Sequence, residues 1–216
     1  MPYTVNMFAM NICSQPGCHH SALSFINKEG VLTNDNYFCI KHVEYPEQVK
    51  NSIYQYICNH QKIVGLNASG LNFTDIDLTD KRFYGCNFQN CTFNNIHSEF
   101  FRARMSIFDF SLFVDCTLLK SNLQFSSFAG ATFSHVLFTG SDLVHNNFCG
   151  ITAYQSSFDD SDLYNSRFIK ANLIDTSIRN CNIKKTIFYG SNQQNISFKQ
   201  SNTREAEFEY KEGTIL

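Results

Sequence analysis

The sequence predicts a repeat architecture over roughly two thirds of its length, and two observations predict it. First, a large apolar residue recurs at every fifth position: Phe73, Leu78, Phe83, Phe88 and Phe93, then Phe108, Phe113, Leu118, Leu123, Phe128, and so on to Phe208. The exceptions on this register are Ser98, Ala103, Ala153, Gln193 and Thr203. Neither the 3.6-residue period of a helix nor the two-residue period of a strand generates a step of five. Second, a small residue sits two positions earlier, as at Cys86, Cys91, Ser106, Ser111, Cys116, Ser121 and Ser126, with a polar residue between the two, as at Asn72, Asp77, Asn87 and Asn122. The repeating unit is therefore small, polar, large apolar, polar, polar.

In Ala171-Asn172-Leu173, Ser141-Asp142-Leu143, Ser161-Asp162-Leu163 and Ser121-Asn122-Leu123, this unit resembles the A(D/N)LXX consensus of the pentapeptide-repeat family. The resemblance implies an all-β solenoid, a right-handed quadrilateral β-helix in which four pentads make one square coil. Such coils require residues 20 apart to stack. Phe88, Phe108, Phe128, Phe148, Phe168, Phe188 and Phe208 meet that requirement. About seven coils, each some 4.8 Å thick, would result. A second wall reads Phe83, Ala103, Leu123, Leu143, Leu163, Ile183, Thr203. Its shorter side chains are expected to face the Phe ladder and fill the lumen without voids.

Composition limits the function classes. The chain has 216 residues and a net charge of −2, with 22 Phe, 10 Tyr and no Trp. That balance gives no strong field for nucleic acid or acidic lipid. No apolar run approaches the length of a membrane-spanning helix. The N-terminus MPYTVNMFAMNIC lacks a basic segment followed by a continuous apolar one, so no signal peptide is expected. There are nine cysteines. Cys86, Cys91, Cys116 and Cys181 fall in the small-residue register, where a thiol serves as a small apolar group. Reduced thiols and a cytoplasmic location are the expectation.

Taken in order, residues 1–62 do not follow the pentad and are expected to form a Cys/His-rich cap, with the solenoid spanning 63–216. The cap contains Cys13-Ser-Gln-Pro-Gly-Cys18 and, 20 residues on, Cys39-Ile-Lys-His42. Pro16-Gly17 makes a turn that can bring two thiolates onto one ion, and a C-x2-H pair can face one way across a turn. Four N/S ligands suit a closed, tetrahedral, structural zinc site. The pattern is similar to small treble-clef-like zinc modules, with Cys13, Cys18, Cys39 and His42 as ligands. His19, His20, Cys58 and His60 are the residues that could replace one of them. A module this small has little core of its own, so a metal would contribute to folding directly.

Pro46 to about His60 reads as one helix. Proline suits its first turn, and Val49, Ile53, Tyr56 and Ile57 make an apolar stripe. An uncapped solenoid exposes apolar side chains and unpaired strand edges, so this stripe is expected to cover the N-terminal end. Residues 63–70 form the entry to the first coil. Between about 95 and 105, Ser98 and Ala103 break the pattern, and a frame shift of two restores it. A two-residue bulge is therefore expected there, carrying Phe100, Phe101, Arg102 and Arg104; a contact site and a tolerated irregularity both fit. After Phe188 the pattern weakens. The final residues are too short for a helical cap, which suggests an end-to-end homodimer through the last coil.

No catalytic constellation is present. Motifs for a nucleophile elbow, a phosphate-binding loop or a zinc protease are absent, and Asp159, Asp160 and Asp162 lie at outward positions without an implied pocket. Function is thus expected at the outer surface: a non-enzymatic scaffold that binds an unidentified protein partner. The family resemblance also implies an alternative, a DNA-mimicking modulator of DNA gyrase or topoisomerase IV of the quinolone-protecting type. DNA mimicry needs phosphate-like charge density. The first 65 residues hold four of the 17 Lys/Arg and four of the 19 Asp/Glu, leaving a near-balanced 13 against 15 in the repeat. Direct nucleic-acid binding by the cap is not expected, because it has no basic patch, and no membrane association is expected.

Overall fold

The computed structural model describes residues 11–35 and 37–210. The first ten residues of the expected cap and the last six of the expected solenoid lie outside these. Over Lys62 to Phe208 the chain is a β-solenoid of about seven turns, every turn 20 residues long. One wall is a seven-stranded parallel sheet from Asn72–Thr74 to Asn192–Gln194, in the register Phe73↔Phe93↔Phe113↔Phe133↔Ala153↔Leu173↔Gln193. A second wall begins with Lys62–Val64, Arg82–Tyr84 and Arg102–Arg104 and continues as isolated bridges in the same register.

The pentad produces this shape through three devices. The large residue points inward. Its polar neighbours point out, so each strand is only three residues long. The fifth residue turns the corner: every fifth position from Gly65 to Gln200 has a left-handed backbone, with φ between 46° and 78°. Glycine takes that conformation freely, whereas a side chain there costs about 1–2 kcal/mol. Seven of the ten glycines fall on this register.

The small register does more than leave room. Its hydroxyls accept from backbone N–H groups one coil below, as Ser106, Ser126, Ser141 and Ser161 do from Cys86, Ser106, Ser121 and Ser141 at 2.9–3.2 Å. They also donate to a carbonyl below, as Ser126 does to Ala103 and Ser166 to Leu143, both at 2.7 Å. These inward backbone groups would otherwise be buried without partners, at about 1–3 kcal/mol each.

The core is one continuous cluster from Leu23 to Phe188. The Phe88–Phe208 ladder is unbroken: successive rings stack 4.8–5.2 Å apart at 6–20°. A second ladder runs Phe73, Phe93, Phe113, Phe133. One expectation about packing is corrected here. The aliphatic wall through Leu123, Leu143 and Leu163 adjoins the Phe ladder, five residues before it. The wall ten residues away, and so opposite, is Leu78, Ser98, Leu118, Phe138, Phe158 and Ile178.

The expected bulge at 95–105 is absent. His97–Glu99 pairs with Thr117–Leu119, and Arg102–Arg104 pairs with Arg82–Tyr84, with the 20-residue step intact. Ser98 and Ala103 remain inward and buried. The missing volume comes from the preceding small position, where Ile96 and Phe101 are buried instead, Phe101 packing edge-on against Phe83. Leu66 with Ala68 and Ile151 with Ala153 make the same exchange of sizes. Two inward registers can thus trade volume without a change of frame.

The helix α1, Pro46–Asn59, buries Val49, Ile53 and Ile57 across the N-terminal end of the solenoid. The Lys81 ammonium donates to the carbonyls of Cys58 and His60 at its C-terminal end, at 2.6 and 3.1 Å, where a cation is favoured. Among the described residues no helix is long and apolar enough to cross a membrane.

Candidate metal centre

The four residues singled out by their spacing meet at one point. The sulfurs of Cys13, Cys18 and Cys39 and a ring nitrogen of His42 all lie within 4.8 Å of one another. His42 Nδ1 is 3.4 Å from Cys13 Sγ and 3.4 Å from Cys39 Sγ, and Cys18 Sγ is 3.8 Å from Cys39 Sγ. Zinc–sulfur bonds of about 2.3 Å at tetrahedral angles place two sulfurs roughly 3.8 Å apart, and a sulfur and a nitrogen about 3.5 Å apart. The donor set and its spacing therefore fit a tetrahedral zinc ion.

Local structure explains the convergence. An antiparallel bridge, Ile12↔Ser21, brings the two arms of the first loop together. The Cys18 N–H donates to Gln15 O at 3.0 Å, closing a turn in which Gly17 has φ +77°. The second arm is held to the first by Ser14 N–H to Tyr37 O and Leu23 N–H to Phe38 O. The N–H groups of His42 and Val43 both donate to Cys39 O, so the C-x2-H pair sits in a single turn. Cys13 and Cys39 are buried, Cys18 is half-buried and His42 is exposed.

Electrostatics favour thiolate at one member. Burial pushes the Cys13 thiol up, but the backbone N–H groups of Cys39 and Gln15 and the side chains of His42 and Cys39 outweigh it, bringing the thiol down to about 6. Cys39 moves the other way: burial raises it, and the neighbouring sulfurs of Cys13 and Cys18 raise it further, against the Lys41 N–H. Three sulfurs this close cannot all be anionic without a cation among them.

His19, His20, Cys58 and His60 stand apart from the cluster. His60 donates its Nδ1–H to Tyr56 O at 2.9 Å and stacks on the Tyr56 ring at 4.0 Å. Spacing alone did not reveal how the centre is fixed to the solenoid. Ser24 exchanges hydrogen bonds with Asn67, its N–H donating to Asn67 O at 2.8 Å while its Oγ accepts from the Asn67 N–H at 2.7 Å. Asn34 accepts from Ser24 Oγ and donates to Gly65 O. Ile40, one residue past Cys39, packs so closely on Gly70 that a Cβ there would lie 3.2 Å from it. The centre is thus clamped to the first coil on both sides.

Comparison with known proteins bears on the solenoid. The family model "Pentapeptide repeat region" matches residues 131–208, and "Pentapeptide repeats (8 copies)" matches residues 107–152. No curated protein sequence matches the chain. Among solved structures, the chain is similar to the pentapeptide repeat protein Rfr23 from the cyanobacterium Cyanothece 51142, at 13% identity over 66% of this chain and 89% of that one, TM-score 0.40. It is similar to HetL from Nostoc sp. strain PCC 7120, described as involved in heterocyst differentiation regulation, at 13% identity over 76% and 97%, TM-score 0.31. It is also similar to a trypsin-treated form of QnrB1, a plasmid-mediated fluoroquinolone resistance protein, at 18% identity over 69% and 80%, TM-score 0.29. The solenoid of this chain is a pentapeptide-repeat solenoid, with a Cys/His cluster at its N-terminal end.

Proposed function

We propose that this chain is a non-enzymatic protein-interaction scaffold: a rigid pentapeptide-repeat rod whose N-terminal end is closed by a cap that structural zinc stabilises. The observation that carries the cap is the tetrad Cys13, Cys18, Cys39 and His42, with its ligand atoms within 4.8 Å of one another. Four protein ligands complete the coordination and leave no open position for a water nucleophile, so the ion would hold structure rather than perform chemistry. The scaffold role draws on the interior, which is filled by packed side chains, leaving the outer walls for recognition. The expected setting is cytoplasmic, where thiolate ligands stay reduced. Metal analysis of protein purified under reducing conditions tests the cap. One zinc per chain, lost in Cys39→Ser, is expected; metal-free protein with the same thermal stability would refute it.

The topoisomerase-modulating alternative fits the charge distribution less well, because the wall that carries Arg82, Arg102 and Arg104 at one end and Asp142 and Asp162 further along is mixed where a DNA mimic would be acidic. A homodimer through the last coil is proposed alongside. Asn192–Gln194 is paired on one side only, Gln193 and Thr203 are exposed, and Phe198 and Phe208 are half-buried. A monomer mass in light scattering would dismiss it.

A further inference from the structure

The wall that starts at Lys62–Val64 carries a column of like charges. Lys62, Arg82 and Arg102 point outward and lie directly in register on three consecutive parallel strands, about 4.8 Å apart. All three are exposed. Like charges facing each other across adjacent strands destabilise a sheet. Among the described residues, none of the three has a carboxylate partner; the ion pairs are Lys50–Glu47, Lys120–Glu99, His135–Asp115, Arg179–Asp159 and Lys184–Glu205. Lys62 instead lies over the Tyr84 ring, 5.9 Å from its centre. A fourth cation is fixed beside them, for Arg104 donates its Nε–H to Asn122 Oδ1 at 2.7 Å. The column then changes sign, running through Asn122 to Asp142 and Asp162.

We propose that this basic wall is a docking surface for an acidic, Asp/Glu-rich segment of a protein partner. The proposal rests on the protein-interaction reading and names the chemistry of the partner. Three rows span about 10 Å, the reach of three or four extended residues at roughly 3.3 Å each. Guanidinium groups match carboxylates through two parallel hydrogen bonds. The neutralised column would lose its internal repulsion on binding. A phosphodiester backbone is disfavoured, because a strand following the wall runs onto Asp142 and Asp162 within two further coils.

The test is fluorescence anisotropy at low salt with a labelled peptide of alternating Asp and Glu. A labelled oligothymidylate and vesicles of phosphatidylcholine with phosphatidylserine serve as rival probes. The triple variant Lys62→Gln, Arg82→Gln, Arg102→Gln removes the column, and Lys170→Gln, Lys199→Gln, Arg204→Gln removes the same charge elsewhere. Saturable binding of the peptide is expected, weakened roughly tenfold or more in the first variant, little changed in the second, and falling with salt. Absence of saturable peptide binding would overturn the proposal, as would equal losses in both variants. Preference for the oligonucleotide or the vesicles would replace the occupant and refute the acidic segment. Zinc content read on the same samples separates the two proposals, since protein that holds one zinc and ignores the peptide loses only the docking surface.

Discussion

The cysteines of the two regions show how differently the cap and the solenoid are held. In the solenoid, burial pushes Cys86 and Cys91 up to about 12, and Cys116 and Cys181 up to about 11. These are apolar filler, unreactive in the folded state. In the cap, hydrogen-bond donors overcome burial and bring Cys13 down to about 6. The same side chain is packing material in one region and a candidate ligand in the other. The difference follows from redundancy. Each coil repeats its neighbours' ring stacks and serine hydrogen bonds, so no single contact decides the fold there. Among the described residues the cap has two short strands, Phe25–Ile26 and Leu32–Thr33, one helix, and a single centre where its loops converge.

Removing the metal should therefore break one region and spare the other. Apparent zinc binding free energies in small modules are on the order of 10 kcal/mol, more than the core of such a cap supplies. With chelator, or in Cys39→Ser, the cap is expected to open first, seen as rapid proteolysis within residues 11–45 while the solenoid survives. Alkylation followed by mass spectrometry should then label Cys13, Cys18 and Cys39 before Cys86 or Cys91. Simultaneous labelling of all of them would show that cap and solenoid unfold as one unit and would break the comparison.

Within the solenoid the sharpest test is the exchange of sizes at Phe101 and Ala103. Phe101→Ser should cost about 3–5 kcal/mol, the usual loss for a buried ring. Adding Ala103→Phe returns the pentad to its ordinary pattern and should recover most of that loss in urea denaturation. If the double variant stays as unstable as the single one, the two registers are not interchangeable.

This exchange also marks the limit of what the sequence made legible. The period, the 20-residue step and the Phe ladder follow from spacing because a solenoid forces identical positions to stack, whereas the cap helix follows from its apolar stripe and the four clustered residues from the C-x4-C and C-x2-H pairs. Taken along one inward register alone, the exchange looks like an inserted bulge, although the 20-residue step runs through it unchanged. The lumen responds to the summed volume of both registers, so Ile96 with Ser98 and Phe101 with Ala103 fill it as well as the usual order. The left-handed corners leave a fainter signal, carried by Gly65, Gly70, Gly85, Gly130, Gly140, Gly150 and Gly190, which share the register on which they occur. The clamp through Ser24, Asn34 and Asn67 left no periodic trace, since it is used once.

A smaller effect concerns an outward position. Asp159 is buried. Burial raises its carboxyl, but the Arg179 guanidinium, the Ser177 hydroxyl and the Arg179 N–H outweigh this and hold it below the ordinary range. A depressed carboxyl contributes stability that is present above the unfolded value, about 3.9, and lost as pH falls through the lower folded value. Arg179→Ala leaves this carboxylate without its two guanidinium hydrogen bonds, of 2.9 and 2.6 Å, at a cost of about 1–3 kcal/mol at neutral pH. The variant should lose less than the parent on acidification below about pH 4. Parallel pH profiles would show that the pair contributes nothing to the folded state.

The smallest predicted change is a gain. Met105 turns a corner at φ +51° in a column with Gly85 before it and Phe125 after it. Methionine gains nothing from that conformation, whereas asparagine adopts it several times more readily than most side chains. The corner residue lies off the packed lumen but Met105 is half-buried, so the gain from Met105→Asn is the backbone relief net of the side-chain area it uncovers. The substitution should stabilise the solenoid by about 0.5–1 kcal/mol, read as a higher urea midpoint with an unchanged slope. The same substitution at Phe125 tests the reverse case. That ring stacks on His145 at 4.9 Å, so relief of backbone strain is offset by a lost contact of about 0.5–1.5 kcal/mol, and little net change is expected. A clear gain at 105 with none at 125 would show that corner side chains are retained where they pack on the next coil. Equal gains would mean that the corner backbone alone sets the cost.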